Sequence, residues 1–183
     1  MANEQQFKVS TTFVAVRTAR DYRASVEEWG TERDSVLELG CETGTLTELL
    51  AQRAADVIAV DTSRDAVNKA RLLHPDLRFE VIDAADTRAV LQLGSRFDTI
   101  YFDVAAFAGY SALLDIVALL TSYATLFTPK TIVVKSATLA KLSDQSVAWK
   151  SPPGALPRPK RVRASRGGPA SASTEREAAA GTP

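Results

Sequence analysis

Cysteine is nearly absent from this chain: Cys41 is the single one among 183 residues. One thiol can neither close an intramolecular disulfide nor hold a metal cluster, which points to a reducing compartment. Histidine is equally scarce. The lone His74 precedes Pro75 at the end of a helical pattern, where a surface cap accounts for it better than a catalytic base does. Net charge is missing too, with 22 lysines and arginines against 22 aspartates and glutamates, so no overall field draws the chain to nucleic acid or membrane. Long apolar runs do not occur. The opening MANEQQFKVS does not read as a secretory signal, and the later apolar stretches are too short to span a bilayer. The expectation is a soluble, cytoplasmic protein.

Large apolar side chains almost disappear after Trp149. The segment KSPPGALPRPKRVRASRGGPASASTEREAAAGTP is built from Pro, Gly, Ser, Ala and Arg, and cannot bury enough surface to offset the entropy of ordering. The expected organisation is one domain over residues 1–149 and a disordered tail over 150–183. The basic stretch RPKRVRASR in that tail has two readings, a solvated segment or a contact for nucleic acid that could also act as a nuclear address.

What is present is a 45% hydrophobic chain in which strand and helix patterns alternate. SVLELG, DVIAVD, LRFEVIDA, FDTIYFDVA and TIVVKSA read as five buried strands. TLTELLAQRA, SRDAVNKARLLH, TRAVLQLG and YSALLDIVALLTSYATLF read as the helices between them, with Ser63 as an N-cap. Upstream, FKVSTTFVAVR reads as an extended lead-in and ARDYRASVEEWG as a helix. Such alternation predicts an α/β fold, a doubly wound, mostly parallel sheet with helices on both faces. Ligands of such sheets sit at the carboxyl ends of the strands, where strand order reverses. Four strand ends carry acids there: Glu38, Asp61, Asp83 and Asp103. One such acid is ordinarily a helix cap, but four at one edge suggest a site.

The turn GCETG after the first buried strand suits a nucleotide cofactor. A dinucleotide would bring a pyrophosphate to it, and the Glu42 carboxylate would repel that group. S-adenosylmethionine carries a sulfonium, an ammonium and a ribose instead, for which surrounding acids are complementary.

The series VLELGCETGTLTELL, VIAVDTS, FEVIDAAD and FDTIYFDVA, spanning about Ser35 to Lys135, resembles the motifs of the class I S-adenosylmethionine-dependent methyltransferases, which have a Rossmann-like fold. The resemblance implies S-adenosyl-L-methionine as cofactor. It gives Glu38 the acidic position near the methionine end and makes Gly40 and Gly44 the outer glycines of the turn, with Glu42 in place of the middle one. Asp61, followed by Thr62, takes the ribose hydroxyls, and Asp83 with Ala84 contacts the adenine. Asp103 and Lys135 are similar to the aspartate and lysine of 2′-hydroxyl RNA methyltransferases, which makes them the candidate catalytic pair. The further lysine and glutamate of that tetrad have no match, and Lys135 has an equal reading as a solvated strand-end residue. The methyl acceptor would be a small molecule or an RNA.

Family members normally end the sheet with two more strands, the last one antiparallel. No strand pattern follows TLAKLSDQSVAW, so the C-terminal strands are expected to be missing and the fifth strand to be partly exposed. Two alternatives follow: a non-catalytic cofactor-binding scaffold or, from the fold alone, an NAD-dependent oxidoreductase. Near the site, Phe102 reads as core, whereas Phe107 and Tyr110 could stack on a planar substrate.

Overall fold

The computed structural model describes residues 9–29, 32–104 and 112–146. The expected tail, and with it the second half of the domain division, lies outside them, as do Phe107 and Tyr110. The elements alternate from the start: β1 (Thr12–Val16), α1 (Ala19–Trp29), β2 (Ser35–Leu39), α2 (Thr45–Ala51), β3 (Asp56–Asp61) and α3 (Arg64–Leu73). They continue as β4 (Arg78–Val81), α4 (Thr87–Leu91), β5 (Thr99–Phe102), α5 (Leu113–Leu126), β6 (Thr131–Lys135) and α6 (Ala137–Gln145). The strands form one sheet in the order β1-β6-β5-β2-β3-β4, and every pairing is parallel.

The side-chain alternation of each strand divides the core between two faces. Leu37, Leu39, Ile58, Val60, Ile100, Phe102, Ile132 and Val134 face α5, packing with its Ile116, Leu120 and Tyr123. Their neighbours Val36, Val57, Tyr101 and Val133 face the opposite way, against Tyr22 and Val26 of α1 and Leu46 and Leu50 of α2. Burial on both faces explains why these strands read as nearly continuous apolar runs. Glu38 falls by its parity on the α1–α2 face, inside an otherwise apolar layer. Phe102 is core, 3% exposed, and Ser63 caps α3 by accepting from the Ala66 N–H at 3.2 Å.

Two expectations about the sheet need correction. The lead-in is a full strand: β1 pairs along its length with β6, from Thr12 opposite Thr131 to Val16 opposite Lys135. Among the described residues the sheet therefore has six strands and no antiparallel member, and the edge of β6 that was expected to be exposed is covered. The physical reason is local weakness. TFVAV is short and half exposed, and its partner is remote. Thr11 donates through its hydroxyl to the Pro129 carbonyl at 2.8 Å across 118 residues of chain, and Arg17 forms an ion pair with Asp144 of α6.

At the amino ends of the strands, the sheet is tied by a closed polar network. Asp34, 3% exposed, accepts from the Thr99 hydroxyl at 3.1 Å and from Lys130 Nζ at 3.2 Å. Asp98 accepts from the Ser35 N–H at 3.1 Å and pairs with the same ammonium at 3.0 Å. Those hydrogen bonds from Ser35 and Lys130 hold the Asp98 carboxyl below its usual range.

Candidate functional site

The carboxyl ends of β2 and β5 are where the connections diverge, towards β3 and β4 on one side and β6 and β1 on the other. β2 leaves the sheet at Gly40, which has φ +88°. A Cβ at that position would lie 2.0 Å from the Asp103 carbonyl oxygen, so glycine is required by both backbone conformation and space. Glu42 also adopts a left-handed conformation, with φ +49°. The position that sequence comparison marks as a glycine does have glycine-like geometry, and glutamate accepts it with its side chain exposed.

The backbone of that turn is held by Asp61. Asp61 Oδ2 accepts from the Glu42 N–H at 3.0 Å, and Oδ1 from the Ser63 N–H at 2.8 Å. A carboxylate offers about four acceptor positions. Two are spent on shaping the loop, which leaves one on each oxygen for a ligand. Asp83 accepts from the Ala85 N–H at 2.8 Å. Next to it, Ala84 is buried, and its carbonyl accepts from the Tyr123 hydroxyl of α5 at 2.8 Å. Asp103 is fixed by its own N–H, which donates to the Leu39 carbonyl at 2.8 Å, and its Oδ2 forms an ion pair with Lys135 Nζ.

Two adjoining clefts result. The larger, about 490 Å³, runs past Asp61, Thr62, Asp83, Ala84 and Val104. The smaller, about 160 Å³, lies under α1 and includes Tyr22, Arg23, Glu38 and Thr45. Gly40, Glu42, Asp103 and Lys135 line both. The structure therefore brings together nine of the ten residues singled out from sequence, with Gly44 behind them. At Gly44, φ is +86°, and a Cβ would sit 2.9 Å from His74 and Phe79. His74 closes α3 and packs towards the Phe79 ring. Cys41 is buried, and burial, reinforced by the charges of Glu38 and Asp61, pushes its thiol far above the ordinary value. Such a thiol is no nucleophile.

Glu38 is the most perturbed acid. It is 1% exposed, and its described hydrogen-bond partner is the Thr47 hydroxyl, which donates to Oε2 at 2.5 Å. Burial pushes its carboxyl up from 4.5 to about 7, and the negative charges of Asp103 and Asp61 add to this against the opposing bond from Thr47. Tyr22 was not singled out from sequence. Its hydroxyl is buried and makes no hydrogen bond among the described residues, and its ring meets Tyr101 edge-on with centroids 5.5 Å apart. Tyr22, Thr47, Arg23 and Tyr123 all depend on how α1, α2 and α5 face the sheet. Helical periodicity finds those helices but does not say which strand end each side chain meets.

A family model for the methyltransferase domain matches residues 36–129, more than half of the chain. The chain belongs to that family. The methyltransferase domain has the Rossmann-like fold of the class I S-adenosylmethionine-dependent enzymes, in which cofactor binding is a family property. Among solved structures, the PH0226 protein from Pyrococcus horikoshii OT3 is similar at 22% identity and a TM-score of 0.50, over 70% of this chain and 64% of that one. DesVI from Streptomyces venezuelae is 25% identical, with a TM-score of 0.49 over 63% of this chain and 51% of its own. Fibrillarin from Aeropyrum pernix, crystallised with natively bound S-adenosyl-L-methionine, is 20% identical, with a TM-score of 0.45 over 53% of this chain and 42% of its own. The methyltransferase domain thus spans less than two thirds of each of these proteins. Among its described residues no helix is long and apolar enough to cross a membrane, and no acid, histidine or cysteine cluster could hold a metal.

Proposed function

We propose that this domain transfers a methyl group from S-adenosylmethionine to an oxygen or nitrogen nucleophile of a small molecule or an RNA. The observation that carries the proposal is the charge of the clefts: Glu42, Asp61, Asp83 and Asp103 line them, with the buried Glu38 carboxyl, against Lys135 and the exposed Arg23. Excess negative charge suits a cationic ligand and opposes a pyrophosphate, which favours the sulfonium cofactor over NAD.

The residues fit that cofactor. Gly40 removes the side chain that would close the turn, Asp61 keeps acceptor capacity for a ribose diol, and the Tyr22 hydroxyl is buried without a partner among the described residues. Asp61 and Thr62 would hold the ribose, Asp83 and Ala84 the adenine, and Glu38 the ammonium end, with the turn from Gly40 through Glu42 to Gly44 lying alongside. When bound, the cofactor supplies an electrophilic methyl group on sulfur. The chain's own part is to orient the acceptor and receive its proton. Asp103 and Lys135 stand on the boundary of the two clefts, and Lys135 engages Asp103 Oδ2, which leaves Oδ1 to accept a proton from an incoming hydroxyl or amine. In-line positioning contributes most of the acceleration of such a transfer. The grounds for a non-catalytic scaffold weaken, because β1 covers the sheet edge and Glu42 is accommodated in its turn.

Calorimetric titration with S-adenosylhomocysteine and with NADH tests the cofactor. Binding of the first and not the second is expected, and the reverse would refute the proposal. Methyl transfer from labelled cofactor into fractionated cell extract tests turnover, with Asp103→Ala expected to lower it at least about a hundredfold.

A further inference from the structure

The smaller cleft contains a carboxyl group in an unusual position. Glu38 is buried by α1 and α2, and no cation lies within ion-pair distance of it among the described residues. The groups that surround Glu38 from each neighbouring element can be named. α1 contributes the Tyr22 phenol, which is buried and unpaired among the described residues, and Arg23, which is exposed at the rim. α2 contributes the neutral Thr47 hydroxyl. The turn contributes the Cys41 thiol and the exposed Glu42 carboxylate, and Asp61 of β3, in the larger cleft, acts on Glu38 through its negative charge. The end of β5 brings the Tyr101 phenol and Asp103, and β6 brings Lys135, whose ammonium is engaged by Asp103. Among the described residues the cations lining this cleft are thus an arginine exposed at the rim and a lysine already engaged by Asp103, and the other groups around Glu38 are neutral or negative.

A carboxylate placed in such surroundings is costly, and it avoids that cost by keeping its proton. A cation entering the cleft reverses the preference, because it offers the missing countercharge at short range. We propose that the Glu38 carboxyl is protonated in the free protein and releases its proton when a cationic group of the ligand enters the smaller cleft, so that binding is coupled to proton release. This rests on the reading of the clefts as a cofactor site and adds to it a defined proton stoichiometry. The raised titration range of Glu38, near neutrality, makes the exchange measurable under ordinary conditions. The sign follows from linkage: below about pH 7 ligand affinity climbs with pH, by up to about tenfold per unit, and it levels off above.

The experiment is calorimetric titration of the full chain with S-adenosylhomocysteine, which carries the ammonium, at pH 6.5 in phosphate and in imidazole buffer. Their different ionisation enthalpies report proton release directly. Expected are unequal heats corresponding to a sizeable fraction of one proton, and equal heats in Glu38→Gln. Binding with equal heats in both buffers overturns the proposal while leaving the cofactor site standing. Buffer-dependent heat that persists unchanged in Glu38→Gln also overturns it, by assigning the proton to another group. No heat in any buffer removes the cofactor reading and the proposal together. The wild-type buffer comparison stands even if the variant does not fold.

Discussion

The two ends of this sheet carry similar acids and treat them differently. At the amino ends, Asp34 and Asp98 share Lys130, and Thr99 and Ser35 supply further donors, so the network is closed. At the carboxyl ends, five acids face open clefts with one lysine set among them, and a tyrosine hydroxyl has no partner among the described residues. The closed network ties neighbouring strands together. The open one retains unsatisfied capacity, and a polar group kept partly unsatisfied in a folded protein is more informative than a polar group as such. Acids are thus a poor guide to function by number and a good one by what remains for them to bind.

The comparison can be broken most sharply at Glu38. Its folded titration near 7 lies above the ordinary 4.5, so between those values the folded state holds a proton that the unfolded state has lost. Its contribution to stability is present at acid pH and is lost as pH rises through about 7. Glu38→Gln should therefore raise thermal stability at pH 8, by at most roughly 3 kcal/mol, and change it little at pH 4. Melting curves across that range decide the matter, and a destabilised variant at pH 8 would mean that the carboxylate is already compensated.

Asp61 comes next. Losing a charge-assisted pair of hydrogen bonds contributes roughly 1.5–3 kcal/mol, so Asp61→Ala should weaken S-adenosylhomocysteine about tenfold to a hundredfold. Because Asp61 also holds the Glu42 and Ser63 N–H groups, the variant should lose some stability as well. Asp61→Asn, which keeps one acceptor, separates the two effects. Unchanged affinity in both would place the ligand elsewhere.

The smallest effect belongs to the opposite end. Asp34→Ala removes the acceptor of the buried Thr99 hydroxyl and should cost about 1 kcal/mol of stability, read by denaturant titration, with ligand affinity intact. A change in affinity would show that the two ends are coupled through the strands.

Five of the six strands and the turn were legible because their signals are local: apolar runs, glycines, and acids at strand ends. β1 was not, since TFVAV gains its identity only from β6. The same holds for Glu42. Its residue type departs from the family pattern, while its backbone angle and its bond to Asp61 arise from tertiary structure. Tyr22 sits in a helix that periodicity finds easily, yet its place beside Glu38 follows from α1 crossing the sheet to lie over α2 and β6, which no window of sequence contains.

The pairing of β1 with β6 also sets an order in time. β1 is the earliest made of the six strands, and its partner is translated more than a hundred residues later. At about 5–20 residues per second, the TFVAV segment waits for several seconds or more on the ribosome with its hydrogen-bonding edges unmatched, while β2 to β5 can already assemble beside their neighbours. The strand that closes the sheet is thus the first to be exposed and the last to be paired, and the nascent chain is most vulnerable to mispairing in that interval.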